Sequence, residues 1–146
     1  MSGLNALPPV DAVLVSSTIN DVSVPPDEVA SVAKSLWASI RKTRPATPLI
    51  VTGTQGRLVY SGGFDVLNRN LKDAAQADAD VVDAFVDLRD PMIITGNGHE
   101  AAPAFDGNAD LFVAPDGTHM THAGIRHYAE HLAHRLGPVM LLAARG

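Results

Sequence analysis

The segment Asp116-Gly117-Thr118-His119 sets a carboxylate just ahead of an imidazole, on a loop that leads into a terminal amphipathic helix. An Asp so placed can bind the His Nδ1–H and hold the tautomer whose Nε2 accepts a proton, the arrangement of a general base. Such a base serves a nucleophile, usually a serine. No serine of the chain stands in an obvious nucleophile motif. In Val59-Tyr60-Ser61-Gly62-Gly63, Val59 stands where a nucleophile elbow needs Gly. A second group is Asn20-Asp21, which follows an apolar run and the polar residues Ser16, Ser17 and Thr18. An Asn amide donates hydrogen bonds without titrating, which suits an oxyanion hole. Asp21 reads as a brace for the loop or a cap for the turn that follows.

These groups need a scaffold, and the pattern of the chain supplies one. Asp11-Ala12-Val13-Leu14-Val15 and Leu49-Ile50-Val51 are short apolar runs of the kind buried on both faces of a sheet, and residues 81–88 read as a third strand. Pro25, Pro26, Asp27 and Glu28 start a helix with proline and acids in its first turn. Its stripe is Val29, Val32, Ala33, Leu36 and Ile40, with Trp37 packing beside it. Arg41, Lys42 and Arg44 suit its carboxyl end, and Pro45 stops it. Phe64, Leu67, Leu71, Ala74 and Ala75 mark a second helix. Residues 89–110 read as a long loop and Leu111-Phe112-Val113 as a short extended piece. Thr121 caps a last helix with the stripe Ile125, Tyr128, Ala129, Leu132 and Leu136, which Gly137-Pro138 ends. Alternating strands and helices of this length predict an α/β domain with an open parallel sheet, in which ligands sit beyond the carboxyl ends of the strands. Both Asn20 and the Asp116–His119 loop fall at that edge. The chain opens oddly for such a sheet: residues 4–9 look like the tail of a helix, as though the first βαβ part were missing.

Composition narrows the partners. The 146 residues fit one domain, and an apolar fraction of 46% is enough for a core. A net charge of -5 gives no electrostatic case for nucleic acid or an anionic membrane. No apolar run approaches the roughly eighteen residues of a membrane span, and the first residues lack the basic and apolar regions of a signal peptide. With no cysteine, disulfides, thiolate metal sites and cysteine nucleophiles are excluded.

With these residues in place, the chain resembles the SGNH (GDSL-type) hydrolases over nearly its whole length. The third block of that family reads Gly-x-Asn-Asp after a buried strand, and here Thr18-Ile19-Asn20-Asp21 follows Val13-Leu14-Val15-Ser16-Ser17. The fifth block reads Asp-x-x-His and continues to Ala-Gly and a helix. Here it is Asp116-Gly117-Thr118-His119-Met120-Thr121-His122-Ala123-Gly124. The resemblance implies that Asp116 and His119 are the acid and base of a Ser-His-Asp triad and that Asn20 is one oxyanion donor. It implies a three-layer α/β/α sandwich with a flavodoxin-like parallel sheet, and ester hydrolysis or deacetylation without a metal or other cofactor. The expected substrate is an ester-bearing small molecule, carbohydrate or lipid. The loop with Gly96-Asn97-Gly98 and Asp106-Gly107-Asn108 is also similar to SGNH domains of actinobacteriophage virion proteins.

Two departures stand out. Thr18 occupies a position the family gives to Gly, and the Gly-Asp-Ser block and second-block Gly are absent, so the domain over 1–146 reads as incomplete at its N-terminus, lacking a strand and helix. The nucleophile is therefore expected from outside this chain. Three explanations stay open: a piece of a longer or cleaved polypeptide, a sheet completed by another chain that supplies the serine, or a non-catalytic structural or carbohydrate-binding domain of a virion tail protein. Ser16, Ser17 and Thr18 are poor substitutes, because the family's nucleophile comes from a different strand.

Other constellations read more simply as structure. His122, His127, His131 and His134 include a pair one turn apart, but a zinc site needs a further ligand and an oriented support, so these histidines are expected to face water. Asp106-Gly107-Asn108-Ala109-Asp110 begins like a calcium loop, but Leu111 and Gly117 stand where the motif needs Gly and Glu. Gly96-Asn97-Gly98 lacks the third glycine of a dinucleotide loop.

Overall fold

The computed structural model describes residues 10–16, 20–54, 63–89, 93–95, 107–117 and 119–143. Residues 4–9, Ser17 and Thr18, the loop around Val59 and Ser61, and Gly96-Asn97-Gly98 lie outside the described residues.

Strand β1 (Val13–Ser16) is followed by a 3-10 turn (Asn20–Ser23) and helix α1 (Pro26–Thr43). Then come β2 (Leu49–Thr52), α2 (Gly63–Ala77), β3 (Ala84–Val86), the single turn α3 (Ala109–Phe112) and α4 (His122–Ala143). The strands form a parallel sheet in the order β1-β2-β3, with Leu14 beside Ile50 and Val51 beside Phe85. The expected α/β class with a parallel sheet is therefore present.

Alternation along the strands sorts the core into two faces. Val13, Val15, Leu49, Val51 and Phe85 meet Trp37 and Ile40 of α1 and Leu67, Leu71 and Ala75 of α2. Ile50 and Val86, with Leu88, meet Tyr128, Leu132, Leu136, Val139 and Met140 of α4. Helices α1 and α2 thus share one face and α4 covers the other. Successive strands are neighbours, and crossovers of one hand place both connecting helices on the same side. Every residue of β2 is at most 1% exposed.

Several expectations shift in register. The buried line of α1 runs through Val29, Ala33, Trp37 and Ile40, whereas Val32 and Leu36 are 65% and 49% exposed. Trp37 is central to the core rather than beside it, at 1% exposure. The third strand is shorter than 81–88, because the N–H groups of Val81 and Val82 close a turn onto Asp78. Residues 111–113 are not one extended piece: Leu111 and Phe112 belong to α3, and Val113 forms a lone antiparallel bridge with Met120. In α4, Ile125 and Ala129 face solvent, and Leu132 and Leu136 are joined inward by Val139 and Met140. Gly137-Pro138 does not end that helix. Pro138 sits inside it, at the cost of the bond to the His134 carbonyl, and the seating of Val139 and Met140 against the sheet carries the helix on.

Two charged clamps fix the ends of the sheet. At the amino end, Arg41 donates to the Val81 carbonyl from Nε (3.0 Å) and Nη2 (2.8 Å), and to Pro45 and Thr47 carbonyls from Nη1 (3.0 and 3.1 Å). It also pairs with Asp83, whose Oδ2 accepts the Leu49 N–H at 2.7 Å. At the carboxyl end, Asp87 Oδ1 accepts the Arg89 N–H and the Asn68 amide, both at 3.0 Å, while Lys72 reaches Oδ2 at 3.1 Å. Asn68 Oδ1 in turn accepts the Thr54 N–H at 3.1 Å, tying α2 to the loop after β2. Burial alone would raise the Asp87 carboxyl, but these donors outweigh it and hold the group below 3.8.

A folded value below the unfolded one means stability that is present above pH 3.8 and lost as pH falls through the lower folded value. Asp87→Asn should cost about 1–3 kcal/mol at neutral pH. Urea titrations of both proteins across pH should show that difference shrink below pH 3.8. A difference independent of pH would remove the charge from this account.

Candidate functional site

The loop that carries the proposed base is built on α3 and the start of α4. Asn108 staples this region to the segment after β3: its Oδ1 accepts the Thr95 N–H at 2.8 Å and its Nδ2 donates to the Ile93 carbonyl at 3.1 Å. His127 Nε2 donates to the same carbonyl at 2.9 Å. Its ring stacks on Phe112 with centroids 4.1 Å apart and meets His131 edge-on at 4.4 Å. This corrects the expectation for His127, which does not face water but forms part of the platform. Among the described residues there is no group of three or more His, Cys, Asp or Glu placed to hold a metal ion.

The chain leaves α3 at Val113 and returns at Met120, pairing the two in the bridge already described, with the Ala114 N–H on the His119 carbonyl at 2.7 Å. Gly117 makes the reversal with φ of 69°, a conformation costly for a side-chain-bearing residue. Thr121 then caps α4 as its sequence position suggests. Its Oγ1 accepts the Gly124 N–H at 3.0 Å and donates to the Leu111 carbonyl at 2.9 Å.

Within this frame Asp116 holds His119 by both carboxylate oxygens. Oδ1 accepts the His119 backbone N–H at 2.9 Å, and Oδ2 lies 2.6 Å from Nδ1. With Nδ1 as donor, the lone pair is on Nε2, the atom that can take a proton from a nucleophile. The pair expected from the sequence is thus brought together in the geometry of an oriented base. The setting is wet: the side chains of His119 and Asp116 are 81% and 51% exposed. A base this open gains little from electrostatic preorganisation until something excludes water from it.

Asn20 opens the 3-10 turn just past the carboxyl end of β1, where an oxyanion donor would be needed, but its side chain lies outside the described set. Asp21 lies in the same turn, and its carbonyl accepts the Val24 N–H at 3.0 Å. Ser16 receives a bond from the Thr52 hydroxyl at 3.3 Å. The structure also adds residues that residue-by-residue reading passed over. Asn108, His127 and Phe112 position the loop, and Arg89 is 9% exposed with Nε and Nη2 on Asp65 Oδ1 at 3.0 and 2.6 Å. Asn108 stood in a failed calcium pattern and His127 in a failed zinc pattern, so their polarity was visible but their partners were not.

Comparison with known proteins adds nothing to this geometry: no family model, no curated protein and no solved structure matches the chain.

The close approach of α4 to α3 is what aims the loop. A Cβ on Gly124 would lie 2.0 Å from the Phe112 carbonyl oxygen and 2.8 Å from its carbon, both backbone atoms that cannot swing aside. Gly124→Ala should therefore lower stability by about 1–3 kcal/mol and disturb the Thr121 cap. Thermal unfolding with amide exchange at residues 113–121 reads both effects, and an unchanged melting point and exchange pattern would refute the close approach.

Proposed function

We propose that this chain is the base-bearing part of an SGNH-type serine esterase, with the α/β/α sandwich and flavodoxin-like sheet of that family and a nucleophilic serine supplied from outside the chain. The observation that carries the reading is the double hold of Asp116 on His119, at 2.9 and 2.6 Å, in a loop whose sequence matches the family's fifth block. His119 Nε2 takes the serine proton as Oγ attacks the acyl carbonyl. Asn20 donates to the oxyanion of the tetrahedral intermediate. His119 then gives the proton to the leaving alcohol, and water hydrolyses the acyl-enzyme by the same base. The substrate class is an ester or O-acetyl group on a carbohydrate or lipid. Neither metal nor organic cofactor enters this chemistry.

A second reading is favoured by the 81% exposure of His119: a non-catalytic structural or carbohydrate-binding domain of a virion tail protein. A base left in bulk water is what lost chemistry would look like.

The intact assembly, purified from its native source, separates the two. With a fluorophosphonate probe and a short p-nitrophenyl ester, the enzyme reading expects a labelled serine and turnover. His119→Ala should reduce turnover by about 10²–10⁴-fold, and Asp116→Asn should reduce it with little change in substrate binding. No labelling and no hydrolysis in that assembly would leave the binding-domain reading standing.

A further inference from the structure

His119 differs from the other described histidines in what surrounds it. His127 is half-buried, with Nε2 on the Ile93 carbonyl at 2.9 Å and its ring against Phe112 and His131. His122 and His134 are exposed, as His119 is. Among the described residues, however, only His119 of the histidines forms an ion pair with a carboxylate, Asp116 Oδ2 at 2.6 Å from Nδ1. No described residue hydrogen-bonds its Nε2, and its side chain is 81% exposed.

An imidazole whose Nδ1 proton is held this way keeps its lone pair on Nε2, and that pair can attack carbon as well as accept a proton. The leaving group decides which course is productive. An alkoxide is a strong base, so a tetrahedral adduct on nitrogen expels the imidazole and returns to ester. A phenolate or thiolate is a weak base, so the adduct expels it and the acyl group stays on nitrogen. Exposure favours this direct route, because a carbonyl reaches the ring without displacing protein. Charge selects the electrophile. A phosphoryl donor would bring anionic oxygens against Asp116, in a chain of net charge -5, whereas an ester is neutral.

We propose that His119 is itself a nucleophile, and that this chain alone transfers the acyl group of an activated, uncharged ester to water through an acyl-histidine. The Nε2 lone pair forms the C–N bond, and the electrons of the breaking C–O or C–S bond leave with the phenolate or thiolate. The product is an acylimidazolium whose Nδ1 proton lies on Asp116 Oδ2, so its positive charge is formed beside a carboxylate. Water then adds to the acyl carbon and gives its protons to solvent. The C–N electrons return to Nε2, which releases a carboxylate and restores the neutral ring with Nδ1–H. No serine takes part, so the inference stands apart from the esterase reading.

The test gives the purified full chain p-nitrophenyl acetate at neutral pH and follows p-nitrophenolate release, with rapid acid quench and mass spectrometry of the peptides. The expected result is an acetyl group on His119 that forms and decays as fast as turnover. His119→Gln should lose most of the release with an unchanged melting point, while His122→Gln and His134→Gln keep it. Asp116→Asn should slow it, and the chain alone should not turn over ethyl acetate. Release that survives His119→Gln would overturn the proposal, as would release no faster than an equal concentration of N-acetylhistidine gives. Acetyl found on a serine, with His119 required but never modified, would overturn the nucleophile and support the base. Transient acetyl on His119 of the chain alone, with no fluorophosphonate-labelled serine in the intact assembly, would sustain the nucleophile and remove the esterase.

Discussion

Burial of β2 on both faces is the constraint from which the remaining architecture follows. A strand whose four side chains are all excluded from water cannot lie at a surface, so it needs a strand on each side and a helix layer on each face. Burying a side chain of this size contributes about 1.5–3 kcal/mol, and only a two-sided core collects that for every residue of the strand. The α1 and α2 crossovers supply one layer. The other must come from later in the chain, which obliges α4 to return across the sheet. Its first turn follows directly on the Asp116–His119 loop.

Placement alone would not make a base. The loop is held by a set of short-range bonds that leave little freedom: the Val113–Met120 bridge, the left-handed Gly117, and Thr121 capping α4 while reaching back to α3. Asp116 spends one oxygen on the backbone of His119 and the other on its ring, so the carboxylate that fixes the loop also orients the imidazole. The imidazole is preorganised in orientation but not in solvation. Orientation comes from neighbours in sequence, whereas exclusion of water needs atoms brought from elsewhere.

Much of this was legible in the residue order. The presence of the three strands, the limits of α1, the start of α2, the Thr121 cap and the Asp116–His119 pairing are local, governed by periodicity, capping chemistry and loop spacing. The errors share a physical cause. The stripe of α1 kept Val29, Ala33 and Ile40 but exchanged Val32 and Leu36 for Trp37, because the angle at which a helix meets a sheet decides which of two adjacent lines is buried. Pro138 lies within α4 because tertiary packing outweighs a lost hydrogen bond. His127 was assigned to water because its partners, Ile93 and Phe112, arrive from a loop and a short helix that no periodicity announces.

The amino-acid order alone determined the α/β alternation and the local carboxylate–imidazole pair, because both depend on contacts between residues close in the chain. Only the tertiary structure decided which faces are closed. It buried β2, engaged Asn68, Asp87 and Arg41 as clamps, and left Leu14 of β1 and the His119 ring facing solvent. Exposure at an edge is a property of which elements become neighbours, and that depends on how distant hydrophobic surfaces find one another.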